Sequence, residues 1–362
     1  MQQRIYNFSA GPAILPEEVI KEAQENLFSL PGVGMSILEI SHRSKTFDKI
    51  IFEAKADLKS LLGMNDNYEI LFLQGGASLQ FSMVPLNIMP PKNKADYIIT
   101  GSWSKKALKE AKRVGATNIV ASTESENFTR IPKQSEFKLD PDASYVHYTS
   151  NNTIYGTEWH SEPETGNVPL VCDASSDILS KKIDVNKYGI IYAGAQKNMG
   201  PSGVTLVIIR KDLLERSSDS LHTMLNYKIH AENGSLYNTP STFGIYIIGL
   251  IAKWLIKNGG LDAMNKTNVE KAGLLYKVID ESNGFFKGHA LPGSRSNMNV
   301  TFRLPSEELE KKLISEATAA GFDGLKGHRS VGGLRASIYN AFPLKGVADL
   351  VDFLKTYQSK NG

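Results

Sequence analysis

Two residues set the chemical question. Asp173 ends the apolar run "VPLVCD", and Lys197 follows 24 positions later, just past "YGIIYAGAQ". Taken singly, a strand-end aspartate is commonly a turn or helix cap, and a loop lysine is commonly solvated. As a pair they read differently. A lysine set among Gly194, Ala195, Gly200, Ser202 and Gly203 loses hydration, so its pKa falls and its amine can attack a carbonyl. A carboxylate at a nearby strand end can keep a heterocyclic nitrogen protonated. Pyridoxal 5′-phosphate needs both groups, the amine to bond to its aldehyde and the acid to face its ring nitrogen.

Such a cofactor also needs a phosphate cradle and a flat surface. Between an apolar run and a helical pattern lie Gly75, Gly76, Ala77 and Ser78, where free backbone amides and the positive helix end favour an anion. A Gly-Gly turn alone says little. Neither G-x-G-x-x-G nor G-x-x-x-x-G-K-[ST] is present, which counts against dinucleotide and nucleoside triphosphate folds. Trp103 stands in a polar loop beside Gly101 and Ser102, an awkward place for a core residue and a suitable one for stacking on a ring. Thr153 follows another strand end and could donate to a phenolic oxygen. Two short clusters, His42 with Arg43 and His328 with Arg329 and Arg335, suit a substrate carrying carboxylate and phosphate, which Arg grips through a bidentate fork.

These residues need a scaffold that brings strand ends together. From about residue 44 to 260 helical periodicity alternates with short apolar runs, and the runs are continuous rather than alternating. That predicts strands covered on both faces, in a mostly parallel α/β sheet with ligands at the carboxyl ends. After about 260 the pattern changes to an α+β block of roughly 100 residues. We therefore expect a large domain over 16–260 and a small one made of 261–362 with residues 1–15.

Bulk properties exclude several classes. The 362 residues carry 41 Lys and Arg against 38 Asp and Glu, a net charge of +3, with no basic block of the kind that nucleic-acid binders show. The single cysteine, Cys172, permits no internal disulfide and no cysteine-based zinc site, and no metal is expected. The greasiest stretch, residues 243–256, carries Lys253 and is shorter than the roughly 20 residues a membrane span needs, so it predicts a buried helix and no membrane partner. With no secretory pattern at the N-terminus, a cytoplasmic location is expected.

On these residues the chain resembles the class V aminotransferases, within the fold-type I pyridoxal phosphate enzymes. The likeness covers nearly the whole chain and is most specific in "NFSAGPAILP", "SHRSK", "YAGAQKNMGPSG" and "GHRSVGGLRASIYNA". It implies that Lys197 is the covalent lysine, Asp173 the partner of the ring nitrogen, Trp103 the stacking residue and Thr153 the donor to the ring oxygen. Ala77, Ser78 and Gln196 would surround the cofactor phosphate. Asn238 and Thr239 would reach the phosphate of the other subunit in a homodimer. Ser9 and Arg43 would contact the amino-acid substrate, Arg335 its α-carboxylate, and His42, His328 and Arg329 a substrate phosphate.

The activity so implied is transfer of the amine of L-glutamate to 3-phosphohydroxypyruvate, giving O-phospho-L-serine and 2-oxoglutarate, with a longer phosphorylated ketoacid as a second substrate. The implied mechanism has positive charge nearby lowering the pKa of the Lys197 amine. A glyoxylate-using relative would share the cofactor residues without needing the phosphate-directed set. A cysteine desulfurase would need a nucleophilic cysteine on a mobile loop, and Cys172 sits instead at a strand end. One departure is Asn152, where some members of the family carry a glutamate.

Overall fold

Seven segments rich in Val, Ile, Leu and Tyr pair into one sheet in the computed structural model, which describes residues 4–362. They are β1 (Tyr68–Leu73), β2 (Lys94–Ile99), β3 (Ala116–Ser122), β4 (Val146–Thr149), β5 (Leu170–Asp173), β6 (Tyr188–Gly194) and β7 (Thr205–Arg210). Their order across the sheet is β1-β7-β6-β5-β4-β2-β3. Strand β7 is antiparallel to both of its neighbours, and every other pairing is parallel. The expected mostly parallel α/β sheet is thus present.

The helices of this half are α1 (Glu17–Phe28), α2 (Lys45–Leu62), α3 (Gly76–Ile88), α4 (Ser102–Ala111) and α5 (Thr242–Lys257). Successive strand residues point to opposite faces, and both faces are covered. In β6, Ile191 and Ala193 join a cluster with Phe47 and Ile51 of α2 and with Ile247 and Ile251 of α5. Ile190 and Tyr192 join a second cluster with Phe81 and Val84 of α3 and with Ala107 and Ala111 of α4. Burial on both sides is why the strands other than the edge strand β3 read as apolar runs. Each fully buried Leu, Ile or Val contributes about 1.5–3 kcal/mol.

Helix α2 shows how locally the sequence specifies such an element. Ser44 caps it by accepting from the Phe47 amide at 3.2 Å, and Gly63 ends it in the left-handed region at φ 59°. Phe47, Ile51, Ala54, Leu58 and Leu61 recur at helical spacing and are buried. The greasy run 243–256 forms most of α5, buried at Ile245, Ile248 and Ile251 among others. No helix among the described residues is long and apolar enough to cross a membrane. Helix α1 is absent from the sequence reading, although Pro16 and the acidic pair Glu17 and Glu18 mark its start.

The remaining half holds α6 (Gly260–Asp280), α7 (Glu307–Ala319) and α8 (Leu344–Asn361), with the antiparallel sheet β8 (Lys287–Gly288), β9 (Asn299–Arg303) and β10 (Leu334–Ser337). Tyr6 and Asn7 pair in parallel with Phe322 and Asp323, and the Phe8 ring lies 4.3 Å from that of Phe342. Helix α6 serves both halves. Leu261 and Met264 in its first turns pack with the large sheet, whereas Ala272, Leu275 and Ile279 pack with β9 and α8.

Candidate active site

Parallel neighbours place Asp173 and Lys197 together. Asp173 is the last residue of β5 and lies opposite Tyr192 of β6; Lys197 comes three residues after β6 ends at Gly194. Their charges are close enough for each to move the other's pKa. Burial pushes the Asp173 carboxyl up, while Lys197 and two hydrogen bonds from Ser175 (amide 3.1 Å, hydroxyl 2.6 Å) oppose the rise.

Lys197 is half-buried, and its amine is lowered to about 8, chiefly by burial. Asp173 resists this change and Arg335 adds to it. Of the two causes expected from the sequence, lost hydration dominates and nearby positive charge is the lesser influence, because removing the amine from water acts whether or not a cation is near. Lys197 Nζ donates to Thr153 Oγ1 at 2.7 Å and lies 5.3 Å from the centre of the Trp103 ring.

The turn that carries Lys197 depends on close backbone approach. A Cβ on Gly200 would come within 2.8 Å of Ile248. The N-terminal segment closes over the lysine stem, since a Cβ on Gly11 would meet Lys197 Cγ at 3.2 Å and the Ala13 amide donates to Gln196 O at 2.9 Å. This contact accounts for the glycine at position 11. Ser9, in the same segment, donates its amide to Asn7 Oδ1 at 2.9 Å.

The residues leading into Trp103 are held by a clamp that the sequence does not announce. Asn152 donates to Thr100 Oγ1 and Thr157 Oγ1, each at 3.1 Å, and presses on the backbone of Gly101, where a Cβ would lie 2.5 Å from Asn152 Oδ1. The residue that departs from the family pattern thus ties the Trp103 loop to the turn bearing Thr153. One helical turn beyond Trp103, Lys106 places its ammonium 4.4 Å from the ring centre.

Arg335 of β10 donates to Thr153 O at 3.4 Å, so the small domain reaches the same group. The Arg335 Nε and Trp103 Nε1 atoms are buried without a partner among the described residues. His328 Nδ1 accepts from the Ser330 amide at 3.2 Å, which leaves the proton on Nε2. Burial lowers the His328 pKa, and Arg335, Arg329 and Lys106 add to the fall. The same positive neighbours therefore disfavour the charged form of His328. Arg329 itself is exposed.

Other predicted residues stand apart in the single chain. No hydrogen bond or ion pair among the described residues joins His42 or Arg43 to the Lys197 group. His42 Nε2 is buried without a partner, and Arg43 is exposed just ahead of α2. Asn238 Nδ2 donates to Gln74 Oε1 at 3.3 Å, and Gln74 Nε2 donates to Thr239 O at 3.2 Å. Both residues therefore border the Gly75–Ser78 turn.

That turn is a suitable anion cradle. Gly75 (φ 84°) and Gly76 (φ 65°) adopt left-handed backbone, and a Cβ on Gly75 would clash with Leu79 at 2.6 Å. Helix α3 begins here without a side-chain cap, so its first amides, including those of Ala77 and Ser78, point outward unpaired. A nucleophilic amine, a buried carboxyl, an indole face and a capless helix start together fit pyridoxal 5′-phosphate. Cys172 does not belong to this set. It is buried, and burial pushes its thiol well up, which leaves the desulfurase alternative without a reactive nucleophile.

Comparison with known proteins agrees with the geometry. The family model for aminotransferase class V matches residues 5–350. A phosphoserine aminotransferase of Lysinibacillus sphaericus is 58% identical, with 100% of each chain covered. The phosphoserine aminotransferase structure from Bacillus circulans subsp. alkalophilus superposes with a TM-score of 0.98 at 50% identity, covering 100% of both chains. The pyridoxal-phosphate-bound phosphoserine aminotransferase of Trichomonas vaginalis gives 0.93 at 41% identity, covering 97% of this chain and 100% of that one. The lysine–aspartate pair at adjacent strand ends and the likeness along the whole chain lead to one assignment: the chain belongs to the class V aminotransferases.

Proposed function

We infer that the chain transfers the amine of L-glutamate to 3-phosphohydroxypyruvate, giving O-phospho-L-serine and 2-oxoglutarate, a step of serine biosynthesis. The observation that carries this reading is Lys197 and Asp173 on adjacent strand ends, each moving the other's pKa. The relatives named phosphoserine aminotransferase, at 52–58% identity over nearly the full chain, favour a phosphorylated acceptor over glyoxylate.

The cofactor, when bound, supplies an aldehyde for an amine to attack and a ring that withdraws electrons from the substrate Cα. Lys197 would hold it covalently, and its free amine would take the substrate Cα proton on Nζ. A pKa near 8 keeps a useful fraction of that amine free at neutral pH. Asp173 would keep the ring nitrogen protonated, Trp103 would stack on the ring, Thr153 would donate to its oxygen, and Ala77, Ser78 and Gln196 would bind its phosphate.

Arg335 grips the α-carboxylate that both amino donor and acceptor share, with Ser9 and Arg43 supporting the amino-acid substrate. His42, His328 and Arg329 face the substrate phosphate. Lys106 adds positive charge there, as its influence on His328 suggests.

The reading includes a homodimer in which Asn238 and Thr239 reach the neighbouring subunit's cofactor. In its favour are the exposed Phe28 (91%) and Phe52 (72%) on α1 and α2, large apolar groups of the kind that association buries. The proposed domains are 16–260, and 1–15 with 261–362, with α6 bridging them. The unpaired Cys172 fits the proposed cytoplasmic location, where thiols stay reduced.

A coupled assay tests the substrate assignment. Turnover with glutamate and 3-phosphohydroxypyruvate should far exceed that with an unphosphorylated ketoacid such as glyoxylate. Equal rates on the two would overturn it.

A further inference from the structure

Lys271, in the middle of α6, has no exposed surface (0%). Its ammonium donates to three backbone carbonyls, those of Ile338 (3.0 Å), Tyr339 (2.7 Å) and Phe342 (3.1 Å). Burial is the one influence on its pKa, which falls to about 7. Removing an ammonium from water with no counter-ion is costly, and three neutral carbonyls offset only part of that cost. A methyl-ended side chain would fill the space at lower cost. The residue is therefore better explained by what it holds than by net stability.

What it holds is the segment joining two parts of the active site. Upstream, the segment continues from β10, which carries Arg335 with its buried, unpartnered Nε. Downstream it contains Asn340. Asn268, three residues before Lys271 and so on the same helix face, donates to Asn340 Oδ1 at 2.8 Å. The Asn340 amide donates to Asn198 Oδ1 at 2.9 Å, and Asn340 Nδ2 donates to Leu179 O at 2.8 Å. Asn198 directly follows Lys197 and donates to Ile178 O at 2.6 Å. Five residues of backbone therefore run from the guanidinium-bearing residue to the contact beside the catalytic lysine, and Lys271 grips that stretch at two of its carbonyls.

We propose that Lys271 is a positioning residue for transamination, clamping residues 338–342 so that Arg335 is held in register with the turn carrying Lys197. The proposal rests on the reading of Arg335 as the α-carboxylate ligand. Because both substrates carry an α-carboxylate, loss of the clamp should weaken both in the same proportion. That distinguishes it from loss of a phosphate ligand, which affects one substrate only.

The test uses cofactor-loaded Lys271→Met, which keeps the stem and removes the ammonium. The expected result is a rise of about tenfold in KM for glutamate and for 3-phosphohydroxypyruvate alike, with kcat per loaded site changed by less than about threefold. Hydrogen exchange should quicken at the amides of 334–342 and of 195–199 and stay unchanged in β5. A variant with a lower Tm but wild-type KM values for both substrates overturns the proposal and leaves Lys271 a stability residue. If Lys271→Met does not fold, Asn340→Ala decides, because it cuts the link to Asn198. It must raise both KM values together, and unchanged values overturn the proposal. Wild-type protein inactive on this substrate pair would instead indict the transaminase reading, so the two failures are separable.

Discussion

Lys197 Nζ donates to Thr153 Oγ1 at 2.7 Å. The hydroxyl accepts this bond, so its own proton remains free to donate to a second oxygen. A single threonine can thereby orient the amine and support the ring oxygen of the cofactor. Replacing it with valine, of equal shape, removes both. We expect Thr153→Val to lower kcat by about two- to tenfold, the scale of one neutral hydrogen bond. Steady-state kinetics at saturating substrates measure this, and an unchanged kcat would deny the bond a role.

The amine should titrate near pH 8 in the cofactor-free chain, against 10.5 for an ordinary lysine. Covalent loading with pyridoxal phosphate should accelerate about tenfold per pH unit below 8 and level off above it, as the free-amine fraction does. The sign for stability follows. Between 8 and 10.5 the unfolded chain binds a proton that the folded chain does not, so this group's penalty is complete below 8 and relieved as pH rises to 10.5. Asp173→Asn should move the loading curve to lower pH and Arg335→Leu should move it to higher pH, matching the opposite signs of their influence.

Gly101 has no room for a methyl group, since its Cβ would stand 2.5 Å from Asn152 Oδ1. Gly101→Ala should push Asn152 aside and shift Trp103. The expected cost is about 1–3 kcal/mol of stability, with weaker cofactor retention. Thermal unfolding and dialysis against cofactor-free buffer check both. Loss of stability with normal retention would separate the clamp from the stacking surface.

Arg329 is exposed, next to a histidine in a positive field. Arg329→Leu should raise KM for 3-phosphohydroxypyruvate about tenfold or more, as expected for one charged hydrogen-bond partner, and leave KM for glutamate nearly unchanged. Equal rises in the two values would contradict the division of labour between Arg329 and Arg335.

Charge placed on the apolar surface should separate subunits. The double change Phe28→Glu and Phe52→Glu is expected to yield a monomer by light scattering, with cofactor retention reduced as the proposed reach of Asn238 and Thr239 into the neighbouring subunit requires. A dimer of unchanged affinity would place the interface elsewhere.

Much of this was legible in the residues, for identifiable reasons. Most strands of the sheet announced themselves because burial on both faces leaves no polar alternation, and Asp173 and Lys197 stood out because charged groups ended such runs. Residues acting across long sequence separations carried no comparable signal. Lys271 looks like any lysine of an amphipathic helix, and its three acceptors lie 67 to 71 positions away. Asn152 gave only a departure from a pattern; its grip on Gly101 depends on how two loops meet in space. The small-residue turn around Lys197 signalled lost hydration, but that burial outweighs nearby positive charge depends on packing that includes Gly11 and the N-terminal segment, which no local pattern reveals.

The central claim is that the amine of Lys197 is the covalent anchor of the cofactor. Borohydride reduction of the loaded protein, followed by peptide mapping, tests it most directly. We predict a single reduced cofactor adduct on Lys197 and none in Lys197→Ala, which should also lack the visible absorption of the loaded enzyme and all turnover. An adduct on another lysine, or substantial activity in Lys197→Ala, would contradict the account.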